Sequence, residues 1–234
     1  MNANDLFNSF WVRFVTEAAR HTYSIDIYRA TLDPQEFIDS LTFNQLRSKE
    51  RLYEIIRAAI TPSIDSIQIA GGWYGLTALL AAVDLDQSYT FGKDKVRIYS
   101  IDQSLAATST AQALFRAFES EFRYADLSAM CSNAADFRVT DYLGYLRVGR
   151  YHMAVNPSVE HFDTKDLERW YENLPNNTRV ILCSTDMQAP DHCNTHKSAF
   201  QLAAEATKLG LAVYMYQDLE LEGCSRFYVQ GHKK

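Results

Sequence analysis

At 234 residues with 47% hydrophobic composition, the chain is long enough for one α/β domain with a two-sided sheet and too short for two. A formal charge of -6 and a pI near 5.5 exclude the broadly basic surface that nonspecific binding to nucleic acid or anionic membrane requires. Cys131, Cys183, Cys193 and Cys224 are scattered without a CxxC pair, no apolar run approaches the ~20 residues of a membrane helix, and the N-terminus is not a basic, apolar signal; together these predict a soluble cytoplasmic protein with reduced thiols and no membrane partner.

The first predicted element is a helix in which Leu6, Phe7, Phe10, Trp11, Phe14 and Val15 fall at helical spacing behind Asn4 or Asp5 as a cap. Its aromatic face either packs on the domain or, if exposed, forms a homo-oligomer contact. From Asp33-Pro34 to Ala59 a further pair of helical patterns follows, the second carrying Arg47, Lys49 and Arg51, and Pro62 closes it. The Thr61-Pro62-Ser63 turn divides one compact domain into an N-terminal helical cap, residues 1–62, and a sheet core, residues 63–234. The core alternates short apolar runs with helical patterns: strand 67–70, helix 75–84, strand 96–101, helix 104–118 and a strand near 129–132. Strand 151–155, helix 163–172, strand 179–184 and helix 197–209 follow, as βαβ units around a mainly parallel sheet require. Segments 211–216 and 226–230, joined across Glu222-Gly223-Cys224-Ser225, then read as an antiparallel hairpin.

The segment from Ile67 to Asp102 carries the chemistry. An apolar strand breaks into Ala70-Gly71-Gly72-Trp73-Tyr74-Gly75, a helix starts at the glycines, and a second strand ends on an acid. Glycines let the backbone turn sharply and lie close to a nucleotide-type cofactor, and Asp102 is placed to accept hydrogen bonds from a ribose diol, or else to cap the next helix. Trp73 and Tyr74 line that pocket or pack the loop on the N-terminal helices. Ala70-x-Gly72-x-x-Gly75 also fits a degenerate dinucleotide loop, so an NAD-dependent oxidoreductase is an alternative, against which the terminal hairpin counts.

With the glycine loop, the acid after the second strand and the hairpin in place, the chain resembles the class I S-adenosylmethionine-dependent methyltransferases. More narrowly it resembles a group of small, often phage-encoded methyltransferase-like proteins with a Gly-Gly-Trp-Tyr-Gly loop, an Asn-x-Ser-x-Glu-His segment and a C-terminal Arg-Phe strand. Those motifs stand here as residues 71–75, as Asn156-Pro157-Ser158-Val159-Glu160-His161, and as Arg226-Phe227. The resemblance implies a Rossmann-like methyltransferase fold, a mainly parallel seven-stranded sheet with a C-terminal antiparallel hairpin and the N-terminal helical cap. It implies S-adenosylmethionine as cofactor, held by Gly71, Gly72, Trp73 and Gly75, by Asp102 on the ribose, and by Ala135 and Asp136 at the adenine. Asn156 would end the fourth strand at the methyl acceptor, a small molecule, protein or nucleic acid, and a phage protein would act in the host cytoplasm.

Two departures bear on activity. Many class I enzymes have an acid where this chain has Gln68, and Ser158 and Val159 replace the second proline and the aromatic ring of the Asn-Pro-Pro-aromatic motif of amino methyltransferases. A catalytically silent methyltransferase fold serving binding or assembly is therefore the second reading. Glu160 and His161 are the acid-base candidates, a carboxylate and an imidazole able to take an acceptor proton, or structurally a helix-start acid and a hydrogen-bonded histidine. Asp191-His192-Cys193-Asn194-Thr195-His196 has zinc-ligating residue types, but with no second cluster to complete a tetrahedral set it reads as a solvated or lid-like loop, and no metal ligand is assigned.

Overall fold

The central strands form where the sequence has short apolar runs buried on both faces, and the computed structural model, which describes residues 42–88, 95–143 and 151–234, places seven strands in one sheet. The aromatic helix over residues 6–15 and the first of the two helical patterns before Ala59 lie outside the described residues. The second pattern is α1, Phe43–Ala59, followed by β1 (Ile64–Ala70), α2 (Leu76–Ser88), β2 (Val96–Asp102), α3 (Leu105–Phe118) and β3 (Ala125–Cys131). Next come α4 (Val139–Leu143), β4 (Tyr151–Asn156), α5 (Thr164–Glu172), β5 (Arg179–Thr185), α6 (Ala199–Lys208), β6 (Leu211–Leu221) and β7 (Cys224–Lys233).

The sheet order is β3-β2-β1-β4-β5-β7-β6, parallel except for β7, which runs antiparallel to both β5 and β6. The expected mainly parallel sheet and terminal hairpin are both present. The hairpin is longer than the sequence suggests: Cys224 and Ser225 belong to β7, and only Glu222-Gly223 turn, with Gly223 at φ +77°. β3 starts four residues earlier than the expected 129, because Ala125 to Leu127 complete its ladder with β2.

Two apolar layers cover the sheet. One packs α1, α2 and α3 through Leu52, Ile56, Leu79, Leu85, Leu114 and Phe115, and the other packs α5 and α6 through Leu167, Trp170, Leu202 and Ala206. Over residues 76–85 α2 is buried around its circumference between its neighbours, which explains why that stretch is largely apolar on all sides. Asp84, buried in α2, meets Arg57 Nε of α1 at 3.3 Å. Caps fix where the later helices begin: the side chains of Ser104, Asp163 and Ser198 accept hydrogen bonds from Ala107, Asp166 and Gln201 N–H. None of the described helices is long and apolar enough to cross a membrane.

Strand register determines where chemistry can occur. Ala70 pairs with Ile101, Asp102 with Cys131, Asn156 with Leu182 and Thr185 with Arg226, so the carboxyl ends of β1 to β5 and the start of β7 share one edge. Successive strands β1, β2, β3 run outward to one side while β4 and β5 run to the other. The crevice between β1 and β4 is thus the topological switch point, where open α/β sheets bind ligands.

Candidate functional site

A cavity of about 710 Å³ opens over that switch point, within the size range of small-molecule sites. Gly71, Gly72, Trp73, Tyr74 and Asp102 line one side, and Ser158, Glu160, His161, Met187, Asp191 and His192 line the other.

The glycine loop is held by contacts of its own. Gly72 N–H donates to Ile101 O at 2.9 Å, and a Cβ on Gly72 would sit 2.0 Å from Ser100 Oγ, so only glycine lets the loop lie flat on β2. Gly75 has φ +78°, and a Cβ there would stand 2.6 Å from the Phe115 ring, so this glycine seats α2 against α3. Asp102 supplies the third tie: Oδ2 accepts from Trp73 N–H and Oδ1 from Ser104 N–H, both at 2.9 Å. The carboxylate binds the loop to the end of β2 and to the start of α3 while still facing the cavity. Trp73, at φ 47°, stacks on Tyr74 with ring centroids 5.4 Å apart.

The opposite wall begins at Asn156, fully buried at the end of β4. Its Oδ1 accepts from Ser158 N–H at 3.1 Å and its Nδ2 meets no partner. The turn it braces leads into Val159–His161, a single 3₁₀ turn. Glu160 is 2% exposed; Oε1 accepts from Arg226 Nη1 at 2.5 Å, and Oε2 is buried without a hydrogen bond. The loop after β5 is pinned onto this turn, because Cys193 and Asn194 N–H both donate to Glu160 O. His192 is thereby brought beside His161, with ring centroids 4.8 Å apart and planes nearly perpendicular. His196 anchors the far end of the same loop between Ser184 Oγ at 2.8 Å and Glu205 Oε2 at 3.0 Å, so His192 and His196 do not share a site.

Arg226 of β7 joins the walls. Nε donates to Ser48 Oγ of α1 at 3.1 Å, Nη2 to Pro157 O at 2.7 Å, and Nη1 to Glu160. Tyr228, two residues along, donates to Ser48 O at 2.9 Å. Lys49 lines the cavity above Trp73, with Nζ 5.4 Å from the ring and donating to Gln45 Oε1. Burial, with the nearby Arg226 charge second, lowers its pKa to about 7. Cys183, in the centre of β5, is pushed up to about 11 by burial and is a neutral thiol at physiological pH.

This architecture has counterparts among solved structures. Magnesium protoporphyrin IX methyltransferase from Synechocystis PCC 6803 with bound SAM superposes with a TM-score of 0.56 at 13% identity, over 96% of each chain. Geranyl diphosphate C-methyltransferase from Streptomyces coelicolor A3(2), solved with Mg2+, geranyl diphosphate and S-adenosyl-L-homocysteine, gives 0.56 at 12% identity over 81% of each. A SAM-dependent methyltransferase from Aquifex aeolicus gives 0.55 at 10% identity, over 87% of this chain and 100% of that one. The chain has the methyltransferase fold. No protein-family model and no curated protein matches the sequence, and the structural likeness carries no assignment to the phage-type subgroup.

Within the methyltransferase fold, the expected site residues fall into two groups. Gly71, Gly72, Trp73, Asp102, Glu160 and His161 converge on the cavity. Gly75 lies beneath it against Phe115, and Asn156 lies behind Pro157 and Ser158. Ala135 is fully buried, and Asp136 pairs with Arg169 Nε of α5 at 3.1 Å, so that Ala134 is the member of this turn that lines the cavity. Gln68 is buried in β1, 3.4 Å from His152 Nε2, rather than at the cavity wall. Of the basic trio on α1, Lys49 faces the cavity, whereas Arg47 pairs with Glu50 and Arg51 with Glu54. Sequence reasoning gave no site role to Arg226 or Ser48, and read His192 as part of a solvated or lid-like loop. The Arg-Phe motif was a signal for the first, but nothing local in the sequence indicates that β7 would carry it to Glu160.

Proposed function

We propose that the protein is an S-adenosylmethionine-dependent methyltransferase whose donor occupies the glycine-loop side of the cavity and whose acceptor enters on the Glu160-His161 side. One observation carries this reading: the glycine loop and the Asp102 carboxylate border a cavity of about 710 Å³ at the switch point of a methyltransferase-type sheet. When bound, S-adenosylmethionine supplies an electrophilic sulfonium methyl. The fit is tested by the acceptors present: each Asp102 oxygen accepts one backbone N–H and retains lone-pair capacity for a ribose hydroxyl. Adenine would lie against Ala134, with Ala135 behind it; a contact from Asp136 requires its pair with Arg169 to open.

The residues of the opposite wall have positioning work. Methyl transfer demands alignment of nucleophile, methyl and sulfur more than it demands a base, so orientation and exclusion of water are the main contributions. The loop 186–195 covers the acceptor side, and His161, exposed at the mouth and beside Asp191, is the group placed to take an acceptor proton while its imidazole binds no cation. Glu160 holds Arg226 and so fixes the floor. The acceptor is a small molecule, a protein or a nucleic acid.

A second reading is a methyltransferase fold that binds without turning over. The use of both Asp102 oxygens by the backbone, the outward pairing of Asp136 and the burial of Gln68 favour it. Titration calorimetry with S-adenosylmethionine, S-adenosylhomocysteine and NAD separates the readings. Micromolar binding of the sulfonium pair, weakened at least tenfold in Asp102→Asn, supports the donor site and justifies an acceptor screen; turnover in that screen excludes the silent reading. Absence of binding in folded, ligand-stripped protein overturns the methyltransferase proposal, and binding of NAD alone replaces it with the dinucleotide reading.

A further inference from the structure

We propose that Glu160, His161 and His192 form a binding site for a divalent transition metal on the acceptor side of the cavity. The three residues come from two chain segments, the turn after β4 and the loop after β5, and each contributes one ligating atom to a set lying within 4.8 Å of one another. Ligands about 2.1 Å from one tetrahedral ion stand about 3.4 Å apart, so small side-chain rotations close the set.

Three features distinguish this cluster from polar residues meeting by chance. Glu160 is 2% exposed and lines the cavity, yet its Oε2 has no hydrogen bond. A buried carboxylate oxygen without a donor is costly, and a cation satisfies it. Arg226 engages only Oε1, and so fixes the carboxylate while leaving Oε2 available. Second, both imidazoles have an acceptor oxygen beside Nδ1, hydrogen-bonded in His192 and an ion-pair contact in His161. His192 Nδ1 lies 2.7 Å from Met187 O, and His161 Nδ1 lies 3.2 Å from Asp191 Oδ2. The Met187 carbonyl only accepts, so His192 Nδ1 carries the proton and its Nε2 keeps its lone pair for a metal, while the Asp191 carboxylate stands beside His161 Nδ1 as an ion-pair contact and favours the same tautomer there. This is the arrangement that orients metal-ligating histidines, in which a carbonyl or carboxylate outside the ligand set fixes tautomer and ring plane. Third, Cys193 and Asn194 N–H grip Glu160 O, which holds the two contributing segments together before any ion arrives.

The donor set selects the metal class. Two imidazoles and one carboxylate suit Zn2+ and its neighbours in the first transition row, and exclude Mg2+ and Ca2+, which prefer oxygen ligands. Three protein ligands leave an open coordination position, and because all three residues line the cavity that position is available to an oxygen of a second ligand. The sequence concealed this because the Asp191–His196 segment looks like half a zinc site built on His192 and His196; the tertiary fold turns His196 inward and gives His192 two partners from 31 and 32 residues earlier.

The test uses chelator-treated full-length protein without any nucleotide, titrated with Zn2+ by calorimetry and with Co2+ by visible ligand-field absorption. One ion per chain at micromolar affinity or tighter is expected, falling at least tenfold in His192→Ala and in Glu160→Gln and unchanged in His232→Ala, a control on an exposed histidine of β7. His192 sits on the covering loop, so its variant reports on the site even if Glu160→Gln, which leaves Arg226 without its partner, fails to fold. Binding that His192→Ala leaves intact, or binding lost equally in His232→Ala, overturns the proposal, as does the absence of a Co2+ spectrum. Neither result bears on the donor side, whose test is nucleotide binding.

Discussion

The two walls of the cavity are finished to different degrees. On the glycine-loop wall every distinctive group is satisfied within the protein: Asp102 accepts two backbone N–H groups, Gly72 lies against Ser100, and Gly75 lies against Phe115. On the Glu160 wall buried polar atoms have no partner, Glu160 Oε2 and Asn156 Nδ2 among them, and two histidines reach the surface with Nε2 uncommitted. A wall closed on itself presents a fixed shape, which suits a constant cofactor. A wall with unspent ligating capacity is completed by what it binds, which suits the acceptor or an ion.

Breaking the join between the walls should have the largest effect. Arg226→Met leaves Glu160 buried without its cation and is expected to cost about 3–5 kcal/mol in urea unfolding, with Arg226→Met/Glu160→Gln recovering much of it. A full recovery would show that the pair itself adds little and that the penalty belongs to the orphaned acid.

On the closed wall, Gly75→Ala introduces a Cβ 2.6 Å from the Phe115 ring at a φ of +78°, and should cost about 2–4 kcal/mol on the same scale. Adding Phe115→Leu relieves the collision but not the backbone strain, so partial rescue is the expected outcome.

Beneath both walls, His152 of β4 gives a pH signature. Its Nδ1 lies 2.7 Å from Ser66 Oγ and its Nε2 3.4 Å from Gln68 Oε1, and burial lowers its pKa to about 3. The unfolded chain then takes up a proton near pH 6.5 that the folded chain refuses. This contribution to stability is complete above pH 6.5 and declines as pH falls toward 3, by about 2 kcal/mol at pH 5. Chemical denaturation at pH 7 and pH 5 should show the decline in the wild type and a smaller one in His152→Gln.

The smallest effect separates loop from helix on the closed wall. Ser104→Ala removes the side-chain cap of α3 but keeps the Ser104 N–H bond to Asp102, so it should lower stability by about 1 kcal/mol without altering nucleotide affinity. A matching loss of affinity would mean that the α3 start and the donor side are mechanically coupled.

Much of the fold was legible because it is local. Apolar runs at strand length, helical spacing in α3 and α5, and Gly223 in the hairpin each act within a few residues of where they stand. The glycine loop was legible for the same reason; the structure adds that Gly72 and Gly75 lie against β2 and α3, and that Asp102, expected to meet a ribose or to cap the next helix, accepts from Trp73 N–H of the loop and from Ser104 N–H at the start of α3. What the sequence determined by itself was therefore the alternation of elements, the parallel sheet with its antiparallel end, and the residue types at the strand termini.

The tertiary structure decided which of those residues meet. Sheet register sets Arg226 opposite Thr185 and so within reach of Glu160, 66 residues away, and the loop after β5 folds back to set His192 against His161. It also sent His196 to Glu205 and Asp136 to Arg169, and left Gln68 in the sheet. Pairings of this kind depend on how strands are ordered and loops are pinned. A chain specifies that order through the summed burial of many side chains and not through any motif, and so the partners of a site residue emerge only when the sheet is assembled.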